Sequence, residues 1–211
     1  MKVGVLDYGV GNLGSVFRAL EELHSTPLLI NQAFDVHHAD ALILPGVGSF
    51  TECKKILDCG GWTEAIRDEV LTHHKPLLGI CLGMQLLADL GEEGASQTSP
   101  SHGLGLIRGR VVSLKDLGCQ ERIPHAGWNS VFMTGNNSLL EGIPNATDFY
   151  FVHSYAFVPD DPSDTIAVTN YGVTITAAVS NGNVWGTQFH PEKSSRAGFK
   201  LLKNFIQTRQ C

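Results

Sequence analysis

The sequence is poor in charged residues, and those it has are not predominantly basic. Only 17% of its 211 residues are Asp, Glu, Lys or Arg, with 15 basic against 21 acidic side chains and a formal net charge of −6. A shortage of basic side chains disfavours a nucleic-acid-binding protein, which needs them to neutralise phosphates. A disordered chain is excluded as well, because 43% of the residues are hydrophobic and few are charged.

Long hydrophobic runs are missing as well. The most apolar stretch, residues 76–90, contains Gln85 and Asp89 and is too short to cross a bilayer. Residues 1–9 include Asp7 and two glycines, so they lack the apolar region of a signal peptide. The five cysteines are odd in number and lack zinc-ligand spacing, which favours free thiols over a disulfide framework. We therefore expect a cytoplasmic protein with no membrane segment.

Short apolar runs alternate with helical patterns in the N-terminal half. Strands are predicted at residues 2–6, 28–31, 41–44 and 77–80, and helices at residues 12–24, 62–74 and 82–90. Nearly continuous apolar strands that alternate with helices are typical of a parallel sheet covered on both faces.

Beyond residue 90 the pattern changes to strands joined by short turns. Residues 91–103 are small and polar and predict a loop. Further strands are predicted at residues 105–114, 128–133, 149–153, 166–170, 174–179 and 184–190, with a last helix at 195–207. The expected fold is a single α/β domain over residues 1–211, with a mostly parallel central sheet flanked by helices and an antiparallel extension.

Residues 9–14, Gly-Val-Gly-Asn-Leu-Gly, form a G-x-G-x-x-G pattern between a strand and a helix. That context suits a dinucleotide site, which also needs an acidic residue at the end of the second strand. Asn31 stands there, and Asp35 lies beyond the strand. A tight glycine turn is therefore favoured, with a nucleotide-binding module as an alternative.

A second glycine-flanked segment, Gly79-Ile80-Cys81-Leu82-Gly83, follows a predicted strand and opens a helix. This is the pattern of a nucleophile elbow with Cys in the place of Ser. A sharp strand-to-helix turn leaves no room for side chains two residues away, and the helix N-terminus favours a thiolate. We predict that Cys81 is a nucleophile; the alternative is a small buried hydrophobic residue. The other four cysteines, Cys53, Cys59, Cys119 and Cys211, lack this context and are expected to be structural.

His190 and Glu192 lie close together at the end of a predicted strand, in the run Gln-Phe-His-Pro-Glu. A thiol nucleophile needs a base, and the base needs a carboxylate that orients it. Functional groups in parallel sheets collect at the carboxyl ends of strands, where Cys81 is also predicted. Small residues at 45–48, beside that strand end, can offer backbone N–H groups to an oxyanion, together with the amide of Leu82.

Together, PGVGSF (45–50), GICLGMQLL (79–87) and QFHPEKS (188–194) resemble class I glutamine amidotransferases with a Cys-His-Glu triad and a flavodoxin-like fold. Four more segments are similar to those of the glutaminase subunits of imidazole glycerol phosphate synthase in histidine biosynthesis: DYGVGNLGS (7–15), GLGLI (103–107), PHAGWNS (124–130) and YFVHSY (150–155). The resemblance covers nearly the whole chain. One departure from the family pattern is Arg108, where a proline is expected.

The resemblance implies a role for each of several residues. Cys81 would attack the side-chain amide of glutamine, His190 would pass a proton to the departing ammonia, and Glu192 would orient His190. Oxyanion-hole residues are expected at Gly46, Val47 and Leu82. Glutamine-binding residues are expected at Gly48, Gln85, Glu93, His153, Ser154 and Tyr155. Partner-interface residues are expected at Asn12, Trp128, Tyr150 and Lys193.

The same resemblance implies a partner and a reaction. The ammonia would pass to a separate (β/α)₈-barrel cyclase subunit, which makes imidazole glycerol phosphate and AICAR, and the two subunits would form a heterodimer. No cofactor and no metal are expected. Two alternatives remain beside this one: a cysteine peptidase or deglycase-like hydrolase on a similar elbow, and a binding subunit with a degenerate site.

Overall fold

A computed structural model describes residues 1–96 and 99–208. In the N-terminal part strands and helices alternate as β1 (Lys2–Leu6), α1 (Leu13–Glu22), β2 (Thr26–Ile30), β3 (Ala41–Gly46), α2 (Phe50–Cys59), α3 (Trp62–Leu71), β4 (Leu77–Cys81) and α4 (Leu82–Leu86). Strands then predominate as β5 (Leu90–Ser96), β6 (Ser99–His102), β7 (Gly109–Ser113), β8 (His125–Met133), β9 (Thr147–His153), β10 (Tyr155–Pro159), β11 (Thr165–Tyr171), β12 (Val173–Asn181) and β13 (Val184–Thr187), and α5 (Ser195–Gln207) follows them.

The central sheet has nine strands in the order β2-β1-β3-β4-β13-β12-β11-β8-β9. The first five, which we call the parallel region, pair in parallel. The last four, which we call the antiparallel region, pair antiparallel with one another, and β12 pairs antiparallel with β13. The parallel region has the flavodoxin-like strand order, so the predicted α/β fold with an antiparallel extension is confirmed.

Helices cover both faces of the parallel region, and the period-two pattern of its strands explains how. In β3, Ala41 and Ile43 pack into the cluster formed with α1 and α5. Leu42 and Leu44 face the opposite cluster, formed with α2, α3 and α4. All four side chains are fully buried, and burying each leucine or isoleucine stabilises the fold by roughly 1.5–3 kcal/mol. The strand is therefore apolar throughout because neither face meets water.

The loop prediction for residues 91–103 is wrong for residues 91–96 and 99–102, and residues 97–98 lie outside the described part of the chain. β5 and β6 pair antiparallel there, and β5 also pairs in parallel with β7 to complete a second sheet of order β10-β7-β5-β6. Gly91 lies against the ring of Phe50, where a Cβ atom would come within 2.5 Å. Small polar residues form strands here because partner strands take their backbone groups, which composition alone does not reveal.

Helix ends depart from the predictions where loops supply other hydrogen-bond partners. α4 ends at Leu86 and not at residue 90, because the carbonyls of Leu86, Leu87 and Ala88 accept hydrogen bonds from amides of residues 104–107. α3 ends at Leu71 and not at residue 74, where His74 adopts φ 53°. Ile66 and Val70, four residues apart on this helix, are fully buried.

Other element boundaries were missed or shifted. α2 has no counterpart among the predictions, although Phe50, Cys53 and Leu57 recur at helical spacing and are buried. β10 was also missed, β7 is shorter than predicted, and β13 ends at Thr187, so residues 188–190 follow the strand. β8 begins three residues earlier than predicted, at His125.

Four cysteines are free thiols: Cys53, Cys81 and Cys119 are buried, and Cys59 is exposed. The fifth, Cys211, lies outside the described residues, so its predicted structural role stays a prediction. Across residues 1–96 and 99–208, no helix is long and apolar enough to cross a membrane.

Candidate functional site

Cys81 lies at a sharp turn between β4 and α4. Its backbone adopts φ 55° and ψ −110°, a conformation that residues other than glycine rarely adopt. The residue is the last of β4 and directly precedes the first residue of α4, so its side chain stands at the helix N-terminus. The predicted elbow is therefore present as a backbone geometry.

The two glycines that flank Cys81 are required by close packing. A Cβ atom at Gly83 would lie 1.8 Å from the carbonyl oxygen of Leu44 in β3. A Cβ atom at Gly79 would lie 2.5 Å from the carbonyl oxygen of Gly83. Since backbone atoms cannot move aside, any side chain at either position would displace the turn. This agrees with the steric reason given for the G-x-C-x-G spacing.

His190 and Glu192 form a buried pair beyond the end of β13. His190 Nδ1 lies 2.8 Å from Glu192 Oε1, and both side chains are almost completely buried. Pro191 lies between them in a short 3₁₀ turn, Pro191–Lys193. The carboxylate thus accepts the Nδ1–H and leaves Nε2 as the nitrogen available for proton transfer.

Two opposing effects determine the pKa of His190. Burial lowers it, but the neighbouring side chains of Cys81 and Glu192 together raise the pKa to about 9. Within residues 1–96 and 99–208, Nε2 of His190 is buried without a hydrogen-bond partner. The imidazolium is therefore stabilised by charge, while Nε2 itself is left unpaired beside the nucleophile, ready for a reacting group.

The segment that follows β3 lies beside the elbow. Gly46 is the β-sheet partner of Cys81, and a Cβ atom on it would meet Gly83 N at 3.0 Å. The hydroxyl of Tyr8 donates to Pro45 O at 2.9 Å, and the thiol of Cys53 donates to Val47 O at 3.4 Å. Burial raises the pKa of Tyr8 well above its ordinary value and that of Cys53 to about 11, so both stay protonated donors.

A pocket of about 400 Å³ opens at Cys81, a size suited to a small-molecule ligand. Eleven residues predicted for the site line it, namely Val47, Gly48, Cys81, Leu82, Gln85, Glu93, His153, Ser154, Tyr155, His190 and Lys193. Pro124 and Val152, which the sequence analysis did not select, line it as well. The other predicted residues, which are all in the described part of the chain, are not part of this lining: Gly46, Glu192, Asn12, Trp128 and Tyr150.

Glu93 supplies a carboxyl group at one side of the pocket. Its Oε2 accepts a hydrogen bond from the amide of Phe50 at 3.1 Å, and its backbone carbonyl accepts one from Thr51 Oγ1. Partial burial raises the pKa of Glu93, although the amide of Phe50 acts in the opposite direction. The carboxylate is held in place by α2 and can face an ammonium group.

Gln85 and Gln188 connect the pocket wall to the nucleophile. Gln85 Nε2 donates to Gln188 Oε1 and to Tyr155 O, both at 3.0 Å. Gln188 Nε2 in turn lies 3.8 Å from Cys81 Sγ and donates to it. Gln188 is fully buried and was missed by the sequence analysis, although it begins the run that contains His190.

His153 lines the pocket, and each of its two ring nitrogens makes a hydrogen bond. Its Nδ1 lies 2.8 Å from Tyr155 O, and its Nε2 lies 3.0 Å from Nδ1 of His125. Burial lowers the pKa of His153 to about 3 and that of His125 to about 4. Both rings are therefore neutral, and His125, in the PHAGWNS segment, is a second residue that the sequence analysis missed.

Three of the four predicted interface residues, Trp128, Tyr150 and Lys193, are linked through neighbouring contacts to the base, His190. Trp128 and Tyr150 are paired across β8 and β9 with ring centroids 6.2 Å apart, and Trp128 is 55% exposed. Tyr150 O accepts from the amide of His190 at 2.9 Å, and Lys193 follows in the next turn. Asn12 is exposed at the start of α1, which packs against that turn.

The glycine pattern at residues 9–14 forms a turn at the end of β1. Gly9 and Gly11 have φ of 94° and 135°, and the amide of Gly9 donates to Asp7 Oδ1 at 3.1 Å. Asn12 stands at the N-cap of α1, but among the described residues its side chain makes no capping hydrogen bond. Nor do the His, Cys, Asp and Glu side chains described here form a group of three or more that could hold a metal ion.

A scan against family models matches residues 4–208 to glutamine amidotransferase class-I. Among curated proteins, the chain is 39% identical to the imidazole glycerol phosphate synthase subunit HisH of Pelagibacter ubique, over 98% of this chain and 99% of that one. It is 44% identical to subunit HisH 1 of Prochlorococcus marinus, over 98% and 97% of the two chains. The HisH subunit of Geobacillus kaustophilus is also 44% identical, over 97% and 95%.

Solved structures give the same fold at lower identity. A crystal structure described as a glutamine amidotransferase superposes with a TM-score of 0.74 at 22% identity, and covers 97% of each chain. PurLQS from Thermotoga maritima gives a TM-score of 0.76 at 18% identity, again over 97% of each chain. At such identities these two structures support the fold alone.

Proposed function

The chain belongs to the class I glutamine amidotransferases, and on that premise we propose that it is the glutaminase subunit of imidazole glycerol phosphate synthase. The convergence of Cys81, His190 and Glu192 at one pocket carries the proposal. This set supplies the nucleophile, the base and the orienting carboxylate that amide hydrolysis through a thioester needs. Three relatives that bear the name of this subunit align with almost the whole chain.

The first half of the reaction breaks the amide bond of glutamine. The thiolate of Cys81 attacks the side-chain amide carbon, and the carbonyl oxygen becomes an oxyanion. We assign the stabilisation of this charge to the amide of Leu82 and the backbone of Gly46 and Val47; each such donor is worth roughly 3 kcal/mol in comparable sites. His190 gives its Nε2 proton to the leaving nitrogen, so ammonia departs and a thioester remains on Cys81.

The second half restores the enzyme. His190, now neutral, removes a proton from water, and the resulting hydroxide attacks the thioester carbon. The carbon–sulfur bond breaks, glutamate leaves, and the thiolate and the imidazolium are regenerated. Glu192 keeps Nδ1 protonated throughout both halves, so that Nε2 alone carries the transferred proton.

Glutamine binding is assigned to the other residues of the pocket. The carboxylate of Glu93 faces the α-ammonium group, since it is an acidic side chain in the lining and is held by the amide of Phe50. Gly48, Gln85 and the segment 153–155 provide neutral hydrogen-bonding groups for the rest of the amino acid. A zwitterion suits a pocket with one carboxylate and several neutral groups.

Ammonia is then consumed by a separate (β/α)₈-barrel cyclase subunit, which forms imidazole glycerol phosphate and AICAR. Exposed apolar side chains of the pocket lining and of β8 support a docking surface: Val47 and Val152 line the pocket and are 44% and 39% exposed, and Trp128 on β8 is 55% exposed. An apolar patch of this kind is typical of a protein interface. Lys193, which lines the pocket, and Asn12, which precedes the helix α1 packed against the Pro191–Lys193 turn, complete the proposed contact with the cyclase.

The proposal also includes one glutamine amidotransferase domain over residues 1–211, supported by the family match to residues 4–208. The cytoplasmic location predicted from the sequence fits a subunit of amino-acid biosynthesis and stays a prediction.

A single assay tests the function. The chain is co-purified with the (β/α)₈ cyclase of the same organism, and glutamate release is measured with and without the cyclase and its nucleotide substrate. We expect glutamate formation that depends on Cys81 and rises when cyclase and nucleotide are present. Hydrolysis of peptides without hydrolysis of free glutamine would instead favour the peptidase alternative, and no turnover of either would favour the binding subunit.

A further inference from the structure

His125 occupies a buried position that the proposed reaction does not use. Only 2% of the residue is exposed. Its ring is stacked between Tyr171, at a centroid distance of 4.1 Å, and Phe151, at 4.7 Å. Within the described part of the chain His125 does not line the pocket, but its Nδ1 lies 3.0 Å from Nε2 of His153, which does. This hydrogen bond is a direct side-chain route from His125 to the pocket.

The hydrogen-bond partners fix the proton on every nitrogen of the two rings. His153 Nδ1 faces the carbonyl of Tyr155, which only accepts, so Nδ1 carries the proton. Since the ring is neutral, Nε2 accepts, and the proton between the rings belongs to His125 Nδ1. His125 Nε2 then accepts from Asn129 Nδ2, which lies 3.1 Å away. The direction of donation runs from Asn129 to Tyr155.

The carbonyl of Tyr155 is the point where this network meets the pocket. It accepts from His153 Nδ1 at 2.8 Å and from Gln85 Nε2 at 3.0 Å. Both hydrogens of the Gln85 amide are thereby committed, one to Tyr155 and one to Gln188. The oxygen of Gln85 is thus left to face the lining, in an orientation that depends on the Tyr155 carbonyl.

We infer that His125 is a positioning residue for glutamine binding, which holds His153 in the one tautomer that fixes the Tyr155 carbonyl and, through it, the amide of Gln85. This inference rests on the proposed glutaminase function. Burial keeps both rings neutral. A proton added to either ring would set two N–H groups against each other 3.0 Å apart or against the Asn129 amide, so the network has one stable arrangement.

A matched pair of variants separates the hydrogen bond from the ring. In His125→Asn the side-chain amide reaches the place of Nδ1 and can still donate to His153, whereas in His125→Gln it reaches the place of Nε2 and cannot. Both variants lose the stacked ring to the same extent. In the complex with the cyclase, we expect the KM for glutamine to rise about tenfold in His125→Gln, since a buried acceptor is left unsatisfied. The rise should be about threefold or less in His125→Asn, with kcat little changed in both.

A third variant covers the case in which loss of the ring prevents folding. His125→Phe keeps the stack between Phe151 and Tyr171 but has no donor, so its KM should also rise about tenfold. Tyr171→Phe is the control, because it keeps the stacked ring and loses only the hydroxyl contact with Arg122 O. Its KM should equal that of the unaltered complex.

A second readout distinguishes positioning from general loosening of the site. Alkylation of Cys81 by iodoacetamide, located by mass spectrometry, should keep its rate in His125→Phe. Alkylation by a diazo-ketone analogue of glutamine at subsaturating concentration should slow about tenfold, because only this reagent needs the pocket.

Equal KM values in the Asn and Gln variants, or an unchanged KM in the Phe variant, would overturn the inference while the glutaminase function stands. A slower reaction with both reagents would do the same, since it would indicate damage to the nucleophile. An unaltered complex that does not hydrolyse glutamine would overturn both the proposed function and the role of His125.

Discussion

The reacting groups lie at the ends of strands in the parallel region of the central sheet. The antiparallel region supplies side chains that line the pocket and side chains of the proposed docking surface. Cys81 ends β4, and His190 follows β13 by three residues. Val152 and His153 belong to β9, and His125 and Trp128 belong to β8. The reacting groups are buried on sharp turns, while the antiparallel region also carries exposed apolar side chains. Chemistry and recognition should therefore be separable by mutation.

The largest effect is expected in the parallel region, at the nucleophile. Cys81→Ala removes the sulfur that forms the thioester, so glutamine-dependent turnover should fall by a factor on the order of 10⁴ or more. Glutamate release by the complex measures this. If the division between regions holds, the variant complex still assembles and the cyclase still uses ammonium salts. Glutamate release at the unaltered rate would mean that another group is the nucleophile.

The orienting carboxylate should come next. In Glu192→Gln the side-chain amide can present an N–H to Nδ1 of His190 and favour the wrong tautomer, so kcat should fall roughly 10²-fold with little change in KM. Steady-state kinetics of the complex give both values. A rise in KM alone would place Glu192 with the glutamine-binding groups and contradict its assignment to the reacting groups.

The pH dependence of the same variant gives an independent check. The pKa of His190 is raised to about 9, so kcat/KM should fall as pH rises through about 9, and this limb should move to lower pH in Glu192→Gln. A raised folded-state pKa contributes stability that is complete below the unfolded value of about 6.5 and is lost as pH rises through the folded one. The stability difference between the two proteins should therefore be largest below about pH 6.5. A limb at the same pH in both proteins would contradict the assignment.

A smaller effect is expected in the antiparallel region, on association. Trp128→Ala removes an exposed aromatic side chain at the proposed docking surface, so affinity for the cyclase should fall roughly 30-fold. Isothermal titration measures the affinity, and kcat at saturating cyclase should stay close to its original value. Leu29→Ala is the matched control, because Leu29 is 52% exposed but lies on β2 at the opposite edge of the sheet. Equal losses in both variants would argue against a docking surface at Trp128.

The smallest effect is expected at the junction of the two regions. Ser194 is buried; its hydroxyl donates to His190 O at 2.6 Å and accepts from the amide of Tyr150 in β9 at 3.0 Å. Ser194→Ala leaves a buried amide unsatisfied and should lower the free energy of unfolding by about 1–2 kcal/mol. Urea denaturation measures this. Ser25→Ala, which removes one half-buried hydroxyl contact with Leu20 O, should lower the free energy of unfolding by less. A larger loss in Ser25→Ala than in Ser194→Ala would show that Ser194 does not stabilise the junction.

Sequence alone predicted the first four strands and the elbow of the parallel region well, because the signals for them are local. Apolar runs marked β1, β3 and β4, and Gly79 and Gly83 marked the elbow as a glycine pattern that spans five residues. The pairing of His190 with Glu192 was also predictable, since the two residues lie two positions apart. Each of these features follows from neighbouring residues.

Features that depend on distant partners were not predictable. β5 and β6 are built from small polar residues that pair only because β7 and Phe50 lie beside them. Gln188 and His125 acquire their contacts with Cys81 and His153 from strands far apart in the chain. Nothing in the spacing of either residue distinguishes it from a buried polar side chain of the core.

The backbone at Cys81 sets stability and activity against each other. At φ 55° a side chain strains the turn by roughly 1–3 kcal/mol, a cost that the protein bears as long as a sulfur is needed there. In the interior of a helix or strand, glycine is less stabilising than alanine by about 0.5–1 kcal/mol. At this position the order should reverse, so that Cys81→Gly is more stable than Cys81→Ala, although both variants are inactive. Selection for glutamine hydrolysis thus maintains a residue that selection for folding would discard.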